Sequence, residues 1–328
     1  MLGEQPPIPP SVAEIPHRLR CGCSFFMLSI PKLIVIVGPT AAGKSTLAVN
    51  LAKKFNGEII SADSRQVYRG LNIGTAKLPH RQRCGVKHHL IDIVSPRHHF
   101  SVAQFKKMAA SAIESIIRRG HLPFLVGGAG FWIDALAQGL ELPAVPPNPK
   151  LRRELEKKSI PELMGILTQL DQDRAHTVDQ LNPRRIIRAI EIAHKLGHVP
   201  KVKKQLPYRT LWIGINPPRP KLKNKIARRV RDMIRQGLLK ETKSLLSQGI
   251  SRRGLWEFGF EYRAAICCLD GQISRKELKA ELIQKTKAYA KKQLLWFRHN
   301  PLIRWIRNDG EAERLVERFL FIRRPNSS

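Results

Sequence analysis

The sequence predicts an α/β protein: a P-loop core of three layers around a parallel sheet, carrying a small helical insertion domain. Three observations predict it. Short apolar runs alternate with amphipathic segments of helical length. A G-x-x-x-x-G-K-[ST] motif joins the first run to the first such segment. A proline-rich stretch near Pro143 then opens a wholly helical region before strand character returns. The 328 residues are 42% apolar and 26% charged, enough to bury a core in one large domain or two ordinary ones.

Residues 1–26 hold Pro6, Pro7, Pro9, Pro10 and Pro16 without helical or strand period, and read as a disordered leader. Met27, just before the first strand, is an alternative start. Leu33–Val37 (LIVIV) is apolar throughout, as a buried parallel strand is. Thr46–Phe55 follows as a helix with Leu47, Ala48, Leu51, Ala52 and Phe55 on one face. Glu58–Ala62 is a second strand and His88–Val94 a third. Ser101 caps a long helix to Arg119, with Val102, Phe105, Met108, Ala109, Ala112, Ile113 and Ile116 inward. Gly120 ends that helix, and Leu122–Val126 is the next strand. The linker LPAVPPNP leads into residues 150–197, helical in pattern and closed by Gly197. Leu211–Ile215 is strand again, and the chain from Lys221 onward is helical. The resulting division is a core of residues 27–145 and 201–320, an insertion of residues 146–200 and a tail of residues 321–328.

A net charge of +32 far exceeds the magnitude of about 2–8 that keeps a small domain soluble. It points to a polyanionic partner, nucleic acid before an anionic membrane surface. The charge is concentrated: from Arg184 to Arg235 sixteen Lys and Arg face two acids, Glu191 and Asp232. A solvated helix face mixes signs, so this block is the expected phosphate-backbone surface. Five cysteines without a C-x-x-C pair exclude a disulfide scaffold and structural zinc and fit a reducing, cytoplasmic setting. No apolar run reaches the roughly 18 residues of a spanning helix. His88-His89 and His98-His99 are adjacent pairs whose rings leave a strand on opposite faces, structural or close to RNA rather than metal ligands. Trp212, Trp256, Trp296 and Trp305 are read as core, while Trp132, beside a glycine turn, is divided between core and stacking platform.

The P-loop motif is Gly38-Pro39-Thr40-Ala41-Ala42-Gly43-Lys44-Ser45. Its glycines let backbone N–H groups turn toward an anion at the positive end of the following helix. Lys44 supplies a point charge, and Ser45 a hydroxyl for Mg²⁺. This specifies a di- or triphosphate without specifying a nucleotide. An ATPase also needs an acid at the end of an apolar strand. Leu122–Val126 runs instead into Gly127-Gly128, and Asp92 is either such an acid or a strand cap. The loop Asp63-Ser64-Arg65-Gln66 follows the second strand, at the same carboxyl edge as the P-loop, so Asp63 faces whatever reacts there.

Together GPTAAGKS, ISADSRQVYRGLNIGTAK (Ile60–Lys77), HHLIDIVSP (His88–Pro96) and LVGGAGFW (Leu125–Trp132) resemble the tRNA dimethylallyltransferases. The likeness continues through Asn182–Ile192, Lys225–Gly237 and Tyr289–Arg298, covering roughly residues 31–310. The resemblance implies that the P-loop, Gly38 to Ser45, holds dimethylallyl diphosphate with Mg²⁺. The exocyclic amine of the adenosine beside a tRNA anticodon then attacks the allylic carbon. It also implies roles. Asp63 is the base that orients the amine and takes its proton, Thr40 lies near the substrate with Lys44, and Arg229 reaches the diphosphate, with Arg228 and Arg231 one register slip away. Asp63, Ser64, Arg65 and Gln66, then Arg184, Arg185, Ile186, Ile187 and Arg188, match segments that touch the tRNA. Arg152 and Ala129 match two further contacts, Ala129 standing where the family has Thr. Trp132 replaces a usual Tyr, and Gly259–Arg263 matches a late Gly-Tyr motif only loosely. No stable protein partner and no membrane are implied. The alternative reading is a P-loop small-molecule kinase. A basic RNA-binding module with a degenerate loop is disfavoured by the intact Lys44-Ser45 pair. Within the basic block, Arg188 is assigned to the insertion's own packing or to Glu191, whereas Arg184 has no acid at i+3 or i+4.

Overall fold

A computed structural model describes residues 30–321. The leader, the alternative start at Met27 and residues 322–328 lie outside the described residues. Six strands form one parallel sheet: β1 (Lys32–Val37), β2 (Gly57–Ala62), β3 (His88–His89), β4 (Leu122–Gly127), β5 (Arg209–Ile215) and β6 (Ile303–Ile306), in the order β3-β2-β4-β1-β5-β6. Between and after them run α1 (Lys44–Lys54), α2 (Val102–Arg118), α3 (Gly130–Ala137), α4 (Pro149–Leu155), α5 (Ile160–Leu170), α6 (Gln172–Thr177) and α7 (Pro183–Leu196). The remaining helices are α8 (Arg219–Gln236), α9 (Leu238–Ser247), α10 (Arg252–Glu257), α11 (Phe260–Leu269), α12 (Arg275–Arg298) and α13 (Asp309–Phe321).

Side chains alternate across the sheet, and the two faces are covered differently. Ile34, Ile36, Ile59, Phe124 and Ile213 pack against Leu47, Leu51, Val316 and Phe319 of α1 and α13. Leu33, Val35, Ile60, Leu125 and Trp212 pack on the other face against Phe105, Ile113, Val230, Tyr262 and Leu282, from α2, α8, α11 and α12. That is the three-layer arrangement expected. Register sets the functional edge. Ile36 stands opposite Val126 and Ala62 opposite Gly127, so β1, β2 and β4 end together at their carboxyl ends. The insertion buries a smaller cluster of its own, Leu155, Leu163, Leu167, Ile186 and Ile190 among it.

The local signals explain most boundaries. Ser101 caps α2 in a reciprocal box with Gln104. Asn182 and Pro183 open α7, and Gly197 closes it at φ 80°. Four expectations are corrected. The third strand is only His88–His89, because Leu90 and Asp92 take φ of 61° and 58°, outside the extended region; one bridge, Tyr68 to Val94, survives. The helical reading after Lys221 missed β6, whose four residues are too short to show a period. Met108 is 42% exposed on the outer margin of α2. Trp256 and Trp296 are exposed as well, whereas Trp132, Trp212 and Trp305 are buried or partly buried.

Candidate active site

The P-loop leaves β1 through Gly38, whose φ of 148° and close approach to the Ile215 carbonyl exclude a side chain: a Cβ there would lie 2.4 Å from that oxygen. Gly43, at φ 111°, is the N-cap of α1 and offers no side-chain cap, and no acid stands in the first turn. The positive helix end is therefore left for an external anion. Lys44 Nζ donates to the carbonyls of Gly38 (3.0 Å) and Pro39 (2.9 Å). Burial, with Arg229 nearby and Asp63 opposing, pushes its ammonium down to about 7. Ser45 and Thr40 line the same cleft.

Arg229 reaches the cleft from α8 and donates to the Thr75 carbonyl at 3.4 Å. Burial presses its guanidinium below the ordinary range, against the pull of Glu261 and Asp63. The register left open by the sequence is settled by packing. Ile226, Val230 and Met233 define the buried side of α8 and carry Arg229 inward, while Arg228 is 80% exposed beside Asp232 and Arg231 is exposed. Two desolvated cations thus face the loop that ends in a free helix N-terminus, an arrangement that favours a multiply charged anion.

Asp63 stands in the cleft directly after β2. Its Oδ1 accepts from the backbone N–H groups of Arg65 (2.9 Å) and Gln66 (3.3 Å), a turn that fixes the carboxylate. Oδ2 makes no hydrogen bond among the described residues. Gln66 joins Ser61 to the Thr75 carbonyl. Arg65 is not splayed outward. It pairs with buried Glu261, donates to the Phe258 carbonyl at 3.2 Å, and lies 5.9 and 5.7 Å from the Phe260 and Tyr289 rings. Ala48, Ile59, Leu78, Ile91 and Val126 add apolar side chains to the cleft lining, which also includes His88.

Several of these residues carried no role in the sequence reading. Gln293 of α12 accepts the Thr40 N–H at 2.7 Å and donates to the Gly128 carbonyl at 2.9 Å, tying the P-loop to the glycine turn after β4. Tyr289, one turn earlier, lines the cleft. Lys225 donates to the Ala42 carbonyl at 3.3 Å. Glu241 of α9 accepts from three consecutive backbone N–H groups, Asn72 (2.9 Å), Ile73 (2.7 Å) and Gly74 (3.0 Å), and from the Tyr262 hydroxyl (2.9 Å). It anchors the loop that presents Thr75 to Arg229. Glu241→Ala leaves these donors without their acceptor, and roughly 1–3 kcal/mol of stability is expected to go. Urea unfolding measures it; an unchanged midpoint would mean that water replaces the carboxylate without cost.

Other expected residues sit elsewhere. Asp92 is not an acid of the cleft: its carboxylate pairs with Lys77, which also donates to the Tyr68 carbonyl at 2.9 Å. His88 and His89 do diverge, His88 to the cleft and His89 to Glu58 at 2.6 Å. Ser64 is exposed, and Ala129 is the N-cap of α3 with no hydroxyl to offer. Arg152 donates to Glu191 through two nitrogens, each at 2.7 Å. Arg188 pairs with the same carboxylate at 3.1 Å and donates to the Val145 carbonyl at 2.7 Å. Of the two alternatives for Arg188 the pairing with Glu191 is present, and its second bond reaches the segment that leads into the insertion. These bonds keep the Glu191 carboxyl below its usual range despite burial. The side chains of Ile186 and Ile187 are buried in the insertion's core. Arg185 pairs with Asp179 at 3.3 Å, and Arg184 is exposed with no ion pair among the described residues.

Comparison with known proteins agrees with this geometry. A family profile described as IPP transferase matches residues 66–300, and one described as isopentenyl transferase matches residues 31–92. A tRNA dimethylallyltransferase of Anoxybacillus flavithermus is 40% identical over 297 residues, covering 88% of this chain and 95% of that protein. The crystal structure of the full-length tRNA isopentenylpyrophosphate transferase from Bacillus halodurans superposes with a TM-score of 0.65 at 37% identity, covering 88% of this chain and 95% of that one. A eukaryotic dimethylallyltransferase, captured in crystallographic snapshots acting on tRNA, superposes with a TM-score of 0.70 at 30% identity, covering 81% of this chain and 70% of that one.

Proposed function

The chain belongs to the IPP transferase family, and from that premise we propose that it transfers a dimethylallyl group from dimethylallyl diphosphate to the exocyclic amine of the adenosine 3′ of a tRNA anticodon, releasing diphosphate. One observation carries the reading: Thr40, Lys44 and Ser45 of the P-loop line a single cleft with Arg229 and Asp63. The amine nitrogen forms a bond to the allylic carbon as the carbon–oxygen bond breaks, and its proton passes to Asp63. The departing oxygens gather charge where Lys44, Arg229 and the N-terminus of α1 stand, so these groups stabilise the transition state more than the ground state. The five-carbon tail suits the apolar part of the cleft lining, Ile59, Leu78 and Val126 among it.

Among the described residues no group of three His, Cys, Asp or Glu side chains could cage a metal. The donor set fits Mg²⁺ nonetheless, because that ion takes one or two protein oxygens and completes its shell with phosphate and water. Ser45, with Asp63 nearby, would hold it, and it would supply further charge neutralisation at the diphosphate. Among the described residues no helix is long and apolar enough to cross a membrane. The free thiols of Cys84, Cys267 and Cys268 agree with action in the cytoplasm.

Titration calorimetry with dimethylallyl diphosphate and with ATP separates this reading from the kinase alternative, and transfer of labelled donor to tRNA tests it outright. Binding of ATP with no binding of the prenyl donor would overturn it. The RNA surface has its own test. Arg184 is exposed and makes no ion pair among the described residues, so Arg184→Ala is expected to weaken tRNA binding and to lower the salt slope by about one unit per lost phosphate contact. Affinity for the donor stays unchanged. Binding across a salt series reads both, and an unchanged affinity for tRNA would remove this face of α7 from the RNA surface.

A further inference from the structure

Trp296 was expected in the core, yet it is 37% exposed, and its setting is that of a fixed platform. It lies one turn beyond Gln293 on α12, the residue that spans from the P-loop to the turn after β4. Its ring packs so closely on Gly130 that a Cβ there would lie 2.3 Å from it. Its indole N–H donates to Asp134 at 2.8 Å, and Gln138 donates to the other oxygen of that carboxylate at 2.9 Å. Burial pushes the Asp134 carboxyl up, so holding the indole costs solvation of a carboxylate. A surface tryptophan needs no such anchor for packing alone. Lys292 and His299 lie at i−4 and i+3 on the same helix face, both exposed and without an ion pair among the described residues. Phe131, the residue after Gly130, is also exposed.

We propose that Trp296 is a stacking platform for the nucleobase adjoining the target adenosine, with Lys292 placed for a neighbouring phosphate. The proposal rests on the tRNA reading above and adds to it the residue that holds the flanking base. A rigid aromatic plane with Lys292 one turn away, packed on the turn after β4 and one turn beyond the cleft residue Gln293, matches single-stranded RNA better than an apolar protein partner. Stacking is sequence-tolerant, so the platform favours any base over none and purines over pyrimidines.

The test pairs protein variants with RNA lacking a base. Trp296→Ala is expected to weaken binding of the anticodon stem-loop roughly tenfold to a hundredfold, while Trp296→Phe, which keeps a ring, stays within about threefold of the native protein. Of two stem-loops, each made abasic at a different neighbour of the target, one should lose the same factor with the native protein and nothing further with Trp296→Ala. Donor affinity measured on each variant shows that the cleft is intact. Independent, additive losses would overturn the platform, as would a Phe variant as weak as Ala. If the native protein neither binds nor modifies the intact stem-loop, it is the tRNA reading that fails instead.

Discussion

Lys44→Ala is expected to lower single-turnover transfer by at least 10²–10³-fold while leaving affinity for tRNA close to native. In the proposed reaction the ammonium serves the leaving diphosphate, and it lies inside the cleft rather than on the exposed basic surface. Stability should follow the opposite course to activity. The folded value of about 7 lies below the ordinary lysine value of 10.5. Charging Lys44 therefore opposes folding, fully below about 7 and not at all above the ordinary range. Removing it takes away that penalty at the cost of two hydrogen bonds, so the melting temperature should hold or rise at neutral pH. Rapid-quench transfer, filter binding and thermal unfolding on one preparation decide it. Near-native single-turnover rates would sink the P-loop mechanism, and a collapsed melting temperature would make the loss of activity uninformative.

Asp63→Asn carries the second large effect. The amide oxygen can still accept from the N–H groups of Arg65 and Gln66, so the turn after β2 is preserved. What disappears is the basic oxygen. Adenine's amine is a poor nucleophile because its lone pair is delocalised into the ring, and losing the group that takes its proton is expected to cost roughly 10²–10⁴-fold in rate. Donor binding should change little, since the groups proposed to hold the diphosphate, Lys44 and Arg229, are untouched by the substitution. A loss of less than tenfold would make Asp63 a positioning residue and assign the proton elsewhere.

How far the site was legible follows from where its parts lie in the chain. The P-loop and the Asp63 turn are local: a strand, a few residues and a helix start fix their geometry, and all of that is written consecutively. Arg229 was legible to within a register slip, because its inward direction depends on which face of α8 is buried. Gln293, Glu261 and Glu241 were not legible. Each acts on a segment 165 to 253 residues away, through contacts that exist only once α9, α11 and α12 have packed. The partners of Arg65 and Arg152 were illegible for the same reason, since only the folded structure sets Glu261 and Glu191 against them. The third strand failed because two positive-φ residues interrupt an apolar run that composition alone cannot distinguish from a strand.

The bridge made by Gln293 has a consequence for how the molecule comes into being. The phosphate cradle is complete in sequence by Ser45, yet Thr40 waits for a partner 253 residues later. Closing so long a loop is slow in entropy terms, and during synthesis the partner leaves the ribosome only after most of the chain is out. A nascent chain therefore exposes an unfastened P-loop through most of translation. The bond from Thr40 to Gln293 can form only once α12 has been made and docks, so the P-loop is fastened late.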